Sequence, residues 1–279
     1  MVDLDIEKFF DSLDHELVVK TVEANTDQKW VLLYVKRWLK APIQMPDGKL
    51  VERDMGTPQG SAISPVLANL FMHYVFDSWL EREFPAVEFE RFADDAVVHC
   101  ATERQALQVW AALSERMESV GLRLHPGKTK VVYCKDRKRR FSYGCTSFTF
   151  LGYTFRARKA PTRDGKSMFS AFLPAISGDA LKDKGSTIRG WRIHLRTTLD
   201  LADLAEWLNP VVRGWMDYYG KFYRTEMFAL LRRINTYLVR WARRKFKRLR
   251  AFKRAKSWWN GLMKRVPAMF DHWAWMPEF

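Results

Sequence analysis

Two adjacent aspartates, Asp94 and Asp95, interrupt an apolar stretch that runs through Phe89, Phe92 and Ala93 on one side and Ala96, Val97 and Val98 on the other. Short runs rich in Val and Phe form strands. Two ionised carboxylates cannot stay inside such a strand, because burying an unpaired charge costs far more than its apolar neighbours contribute. The fold must therefore bring the pair to a turn, with strands over Val87 to Phe92 and Ala96 to Cys100 on either side and water or a cation on the carboxylates. Asp-Asp in a hairpin is also ordinary turn chemistry, so the pair does not specify a function by itself.

A second acidic alternation opens the chain. Val2-Asp3-Leu4-Asp5-Ile6 has the period of a strand and holds Asp5 near its end. An aspartate after a strand is equally a turn or cap residue. Together, however, Asp5, Asp94 and Asp95 supply carboxylates on rigid neighbouring elements. Phosphoryl transfer by two divalent ions about 4 Å apart requires such a set. Magnesium takes oxygen ligands and keeps several waters, so two or three carboxylates suffice. Asp3 is the alternative first carboxylate.

The rest of the chain supplies helices to cover a sheet. Asp14 is placed to cap a helix through Leu17 toward Val22, a second helix fits 30–39, and 41–55 reads as a hairpin turning at Pro46-Asp47-Gly48. The loop residues Gly56 to Ser61 lead into an apolar helix from about Pro65 to Leu80, followed by the two strands around Asp94-Asp95 and a helix over 102–119. Thr129 to Tyr133 and 148–155 each read as one further strand. After about Ser177 the pattern becomes helical and basic, with helices over 179–197, 201–219, 226–249 and 252–263. Pro161, Gly165, Pro174 and Gly178 mark 161–178 as a linker. The expected fold class is α+β: an antiparallel sheet with packed helices in 1–160, then an all-α basic domain in 179–279.

Charge divides the same way. Residues 1–100 hold 10 Lys/Arg and 18 Asp/Glu, net −8, and residues 101–279 hold 37 and 14, net +23. Such asymmetry suggests an acidic catalytic region joined to a polyanion-binding region, with phosphate backbones as the partner. Residues 221–265 contain 16 Lys/Arg and a single acid, Glu226. Tyr237, Leu238, Trp241, Phe246 and Trp258 recur among them at helical spacing, which implies packed helices with a basic outer face. The cations would grip phosphates, and aromatics either stack on bases or build the core. Cys100, Cys134 and Cys145 form no metal-binding or disulfide spacing. No apolar run is long enough for a membrane span, and Asp3, Asp5 and Glu7 crowd the start, unlike a signal peptide. The expected compartment is the cytoplasm, with no membrane partner.

Five segments occur in the order and spacing of the reverse transcriptase motifs of group II intron proteins: Asp5-Ile6-Glu7-Lys8-Phe9-Phe10-Asp11; Thr57-Pro58-Gln59-Gly60-Ser61 with Ile63-Ser64-Pro65; Phe92-Ala93-Asp94-Asp95; Gly121-Leu122-Arg123-Leu124 with Lys128-Thr129; and Phe150-Leu151-Gly152-Tyr153. Leu208-Asn209-Pro210-Val211-Val212-Arg213-Gly214-Trp215 with Tyr218-Tyr219 resembles the thumb or maturase segment of that family. The resemblance implies a polymerase palm followed by a thumb/maturase domain that binds RNA. It implies two magnesium ions on Asp5, Asp94 and Asp95. Asp5 is preferred to Asp3 because Phe10 then falls five positions later, where the family places the residue under the sugar. Phe10 would reject a 2′-hydroxyl by collision. Ile6 and Gly60 would lie along the incoming nucleotide, Gln59 against that nucleotide or the template, and Lys128, or Lys130 instead, would protonate the pyrophosphate. Arg213, Trp215, Tyr219, Arg243, Arg244 and Lys247 would contact nucleic acid, with Trp215 equally a packing residue.

The implied partners are an RNA template, a DNA primer, deoxynucleoside triphosphates and group II intron RNA. Two other readings share these motifs: a non-catalytic RNA-binding maturase fragment, and a reverse transcriptase recruited to CRISPR or phage defence. The Arg213-Gly214-Trp215 segment favours the intron branch. The family's fingers region, which holds the triphosphate, has no counterpart in residues 1–279, and no Cys/His cluster follows Trp258. The expectation is therefore an N-terminally truncated frame or fragment.

Overall fold

The computed structural model describes residues 1–58, 60–139, 141 and 143–276. They form two compact units, one built mainly from Met1–Cys134 and the other mainly from the residues after 146. No helix among the described residues is long and apolar enough to cross a membrane.

In the first unit β1 (Val2–Leu4) is only three residues long, but both its edges are paired. The antiparallel sheet has the order β4 (Glu88–Phe92), β5 (Asp95–His99), β1, β6 (Lys130–Val131). Its pleat sends Val2 and Leu4 into the core and Asp3 to the opposite face. Helices cover the buried face: α1 (Phe9–Ser12), α2 (His15–Glu23), α3 (Lys29–Lys40), α4 (Ser64–Met72), α5 (Ser78–Glu83) and α6 (Glu103–Glu118). Val18, Leu67, Phe71, Phe76, Val109 and Leu113 join Val2, Leu4 and Val98 in one core. Two caps form as side-chain chemistry dictates: Asp14 accepts from the Leu17 N–H and Thr102 from the Gln105 N–H. β2 (Ile43–Gln44) and β3 (Leu50–Val51) make the expected hairpin.

Two elements of this unit depart from the sequence pattern. The single helix expected over 65–80 is α4 and α5 joined by a π-helical turn over His73–Asp77. Hydrophobic spacing cannot report one widened turn. The strand expected over Thr129 to Tyr133 pairs only at Lys130–Val131, because β1 offers just three residues to pair with.

The second unit begins with the three-stranded antiparallel sheet β7 (Ser147–Phe150), β8 (Tyr153–Pro161), β9 (Met168–Ile176). The stretch 148–155 is thus a hairpin and not one strand. Leu151 and Gly152, at φ 50° and 76°, form a two-residue turn with Phe150 paired to Tyr153. Positive φ at both central residues is what such a turn needs. Residues 161–178 are not a linker either, because β9 lies within them and pairs with β8 from Tyr153↔Ile176 to Pro161↔Met168. Alternation was masked there by Pro161, Pro174 and Gly165, which occupy a strand end, a tolerated strand position and the turn.

α7 (Gly178–Gly190), α8 (Leu201–Tyr219), α9 (Phe228–Lys245) and α10 (Phe252–Arg265) follow. α7 stops short of the expected 197 because Arg192 turns left-handed, at φ 49°, into a 3-10 turn over Ile193–Leu195. α9 is shorter than the expected 226–249, with separate 3-10 turns at Arg224–Met227 and Lys247–Leu249. Asp200 and Asp203 close a reciprocal capping box on α8. Ile188, Leu204, Leu208, Leu231, Trp241 and Trp259 form this unit's core.

The end of the described chain is strapped onto these helices. Asn209 on α8 donates from Nδ2 to the Met269 carbonyl (3.0 Å) and accepts from the Asp271 N–H (3.2 Å). Asn235 on α9 is fully buried, and its Oδ1 accepts from Trp273 Nε1 (3.0 Å) and lies 2.8 Å from His272 Nε2. Indole nitrogen only donates, so Oδ1 is the shared acceptor and His272 must carry its proton on Nε2. Burial pushes His272 down to about 3 from 6.5, with Asp271 opposing only in part.

Below pH 6.5 the unfolded chain takes up a proton that folded His272 refuses, so stability is lost as pH falls from about 6.5 toward 3. Urea unfolding monitored by tryptophan fluorescence should show this loss at up to about 1.4 kcal/mol per pH unit. His272→Gln should flatten that part of the profile.

Candidate active site

The chain leaves the sheet at Asp5, and a separate segment clamps its backbone there. The His125 N–H and the Thr129 hydroxyl both donate to the Asp5 carbonyl, at 2.8 and 3.3 Å. One residue on, Ile6 bridges Leu124, and the Glu7 N–H donates to the Arg123 carbonyl at 2.8 Å. The motif at Gly121–Leu124 and Lys128-Thr129 is thus the mount for Asp5. Its Lys128 donates from Nζ to both Asp5 carboxylate oxygens, at 3.3 and 3.1 Å. Lys130 pairs with Asp3 at 3.5 Å.

Asp94 and Asp95 arrive from the neighbouring strand. β1 and β5 pair as Asp3↔Val97 and Leu4↔Ala96, so the next residues at that sheet end are Asp5 and Asp95. Phe92 pairs with Asp95, which leaves Ala93 and Asp94 as the turn. Ala93 stands at φ 56°, a conformation that costs a non-glycine residue of order 1–3 kcal/mol. Arg91 holds it: its Nη1 donates to the Ala93 carbonyl at 2.9 Å.

Crowding these acids has an electrostatic consequence. Burial, then the charges of Asp94 and Asp5, raises Asp95 above the usual carboxylate range, against the pull of Lys128. Asp3 is pushed up to about 6, mainly by burial; Lys130 opposes this and Asp95 and Asp5 add to it. An all-oxygen set with excess negative charge suits a hard divalent cation, which would relieve the repulsion. Among the described residues no three His, Cys, Asp or Glu side chains already converge as a metal cluster, and Lys128 occupies the Asp5 carboxylate.

Gly56 and Thr57 are fastened near the same segment. Gly56 and Thr57 donate to the carbonyls of Leu13 and Phe10, each at 2.7 Å, and His15 Nε2 lies 2.8 Å from the Gly56 carbonyl. A Cβ on Gly56 would lie 2.8–2.9 Å from the Asp11 backbone, and its φ is 77°. Gly60, at φ 89°, faces open space. Phe10 is half-buried and edge-on to Phe9 at 5.2 Å. Gln59 lies outside the described residues. Ile6 is in the core, 5% exposed, so its side chain packs inward and does not face a nucleotide.

The residues expected to contact nucleic acid are dispersed over the second unit, several with partners of their own. Arg213 is exposed but donates to Asp271 at 2.8 Å. Trp215 stacks on Trp191 at 5.4 Å, which is the packing alternative. Tyr219 packs against Tyr153 at 5.5 Å and crowds Gly152. Arg243 donates to the Arg250 carbonyl at 2.8 Å and lies over the Phe252 ring. Arg244 and Lys247 are exposed. Sequence reasoning missed Arg91; its signal was a cation on the inward phase of β4, which alternates exposed and part-buried residues.

A model of the family described as reverse transcriptase (RNA-dependent DNA polymerase) matches residues 1–155, and one described as group II intron, maturase-specific domain, matches 181–259. A COX1/OXI3 intron 1 protein of Saccharomyces cerevisiae is 35% identical over 29% of this chain and 10% of its own length. A 91 kDa protein in the cob intron of Schizosaccharomyces pombe is 22% identical over 81% of this chain and 35% of its own. The chain thus spans a tenth to about a third of these curated relatives. The solved telomerase of Candida albicans, in complex with a fragment of telomeric RNA, aligns with 99% of the chain and 48% of its own at 15% identity and a TM-score of 0.47.

The two motif glycines should respond differently to substitution. Gly56→Ala meets both strain and backbone collision and should lower unfolding stability by about 2 kcal/mol or more, whereas Gly60→Ala meets strain alone and should cost about 1 kcal/mol. Parallel urea titrations check the order, and equal losses would refute it.

Proposed function

The chain belongs to the reverse transcriptase (RNA-dependent DNA polymerase) family, and from that premise we propose that it extends a DNA primer on an RNA template and binds group II intron RNA through its maturase-specific domain. The observation that carries this reading is the shared sheet corner of Asp5, Asp94 and Asp95, inside the family-matched residues, where mutual repulsion calls for cations. The match to a maturase-specific domain at 181–259 supports the intron RNA as partner, as does the net charge of +23 over residues 101–279.

In this reading Asp5, Asp94 and Asp95 would hold magnesium. When bound, two ions lower the pKa of the primer hydroxyl and stabilise the charge that develops on the phosphates. The chain's own residues do the positioning. The clamp from 123–129 fixes Asp5, and the tight turn fixes Asp94 and Asp95. Phe10 excludes a 2′-hydroxyl by collision, so that deoxynucleoside triphosphates are selected. Gly56 and Gly60 allow close approach of the loop to nucleic acid, with Gln59 and the Ile6 backbone along the nucleotide. Lys128 stands beside Asp5 as the proton source for the pyrophosphate. Arg213, Trp215, Tyr219, Arg243, Arg244 and Lys247 are assigned to the nucleic-acid surface. The working compartment is the cytoplasm.

Primer extension on an RNA template with magnesium and deoxynucleotides tests the reading. Asp94→Ala/Asp95→Ala should lower extension at least about a hundredfold, since charge stabilisation by the ions is worth several kcal/mol. Its binding to intron RNA should persist and weaken steeply with salt. Equal extension by the two proteins would remove the enzymatic reading, and salt-insensitive RNA binding would remove the maturase reading.

A further inference from the structure

β4 turns Glu88, Glu90 and Phe92 outward and Phe89 and Arg91 inward. Phe89 meets Phe76, in the π-helical turn, edge-on at 5.3 Å. The same phase of the strand delivers a guanidinium to a face that otherwise takes apolar side chains. An unpaired charge there would be costly, and Arg91 makes four hydrogen bonds with its guanidinium. Its Nε and Nη2 donate to the two oxygens of Asp77 at 2.7 and 2.6 Å, and its Nη1 donates to Asn69 Oδ1 and to the Ala93 carbonyl, each at 2.9 Å. The Arg91 and Asp77 side chains are only 10% and 18% exposed. A bidentate, partly buried pair of this kind fixes orientation as well as distance. What it orients is the Ala93 carbonyl, in the strained turn that carries Asp94 and Asp95.

The receiving helix is shaped for this contact. Asn69 and Asp77 are eight residues apart, and in an unbroken α-helix they would differ by about 80° around the axis. The π turn over His73–Asp77, closed by the Ser78 N–H on the His73 carbonyl, widens the helix between them. Part of the offset is thereby taken up, and both side chains reach one guanidinium. Single π turns are rare and concentrate at functional sites.

We propose that Arg91, seated by Asp77 and Asn69, is a positioning residue whose hydrogen bond to the Ala93 carbonyl fixes the Asp94-Asp95 turn and so sets the affinity of those carboxylates for divalent cations. The proposal rests on the reading of Asp94 and Asp95 as cation ligands, and Arg91 itself touches no substrate.

The test uses the whole 279-residue chain, with Mn2+ binding followed by electron paramagnetic resonance and amide hydrogen exchange followed by mass spectrometry. Arg91→Lys keeps the charge but loses the fork, and Asp77→Asn keeps the shape but loses the ion pair. Each should weaken Mn2+ binding by about tenfold, the usual effect of losing a partner behind a metal ligand. Each should also speed exchange in 92–96 while α6 exchanges as in the unsubstituted chain. Asn69→Ala should act in the same direction and more weakly. The proposal is overturned if both variants keep Mn2+ affinity and turn protection, or if exchange rises equally in α6, which would make Arg91 a general stabiliser. Should Mn2+ binding prove independent of Asp94→Ala/Asp95→Ala, the reading of the site as a cation centre fails. The claim that Arg91 sets cation affinity falls with it, and the exchange data alone then decide whether Arg91 fixes the turn.

Discussion

The antiparallel pairing of β1 with β5 is the contact on which the candidate site depends. It comprises three residue pairs, Val2↔Val98, Asp3↔Val97 and Leu4↔Ala96. Because side chains alternate with a period of two, a slip of one residue would turn Asp3 inward and Val2 and Leu4 outward. Val2 and Val98 are completely buried and Leu4 and Ala96 nearly so, all beneath the helices of the first unit. The apolar side chains therefore fix the register, and the acids are carried to the sheet corner as a consequence. Stability of the core and convergence of the like charges are two results of one register.

That convergence is held by specific counterweights. Lys130 is the cross-strand neighbour of Asp3 and also its ion-pair partner. Such directly opposed pairs favour the sheet. Asp3 is thus committed within the sheet, while Asp5 lies one step past β1, on a backbone clamped from 123–129 and level with Asp95. Asp5, and not Asp3, therefore stands level with Asp95 at the end of the sheet. Lys128 reaches the same carboxylate from an exposed side chain, so its contact is weak enough to exchange for a cation. The corner combines rigid backbone mounts with a replaceable counterion.

Much of this was legible in the sequence because it rests on alternation and caps. Asp94-Asp95 between apolar flanks announced a turn, and Asp14 announced a helix start. The features that escaped are those that local pattern does not encode. The turn at Leu151-Gly152 divides an alternating run without disturbing its phase, because Phe150 and Tyr153 both remain strand residues. The π turn at His73–Asp77 sits in a run whose apolar content continues through it. Nothing local marks Arg91, since only the partners brought by Asn69 and Asp77, 22 and 14 positions away, make it a largely buried fork.

The same distinction bears on the basic half. The sequence implies a basic outer face that grips phosphates, yet several of its cations are paired within the protein. Arg158, only 5% exposed at its side chain, pairs with Glu226 at 2.7 Å, which gives the lone acid of 221–265 a structural task. Arg213 holds Asp271, and Arg243 holds the Arg250 carbonyl. Pairing an arginine with an acid leaves the net charge as it was, so the long-range field that gathers a polyanion is unaffected. The number of phosphates neutralised is a different quantity, set by the cations that reach them, and it governs how binding falls with salt. In the second unit, then, net charge describes how a nucleic acid would be attracted, while exposed side chains such as Arg244 and Lys247 describe where it would be held.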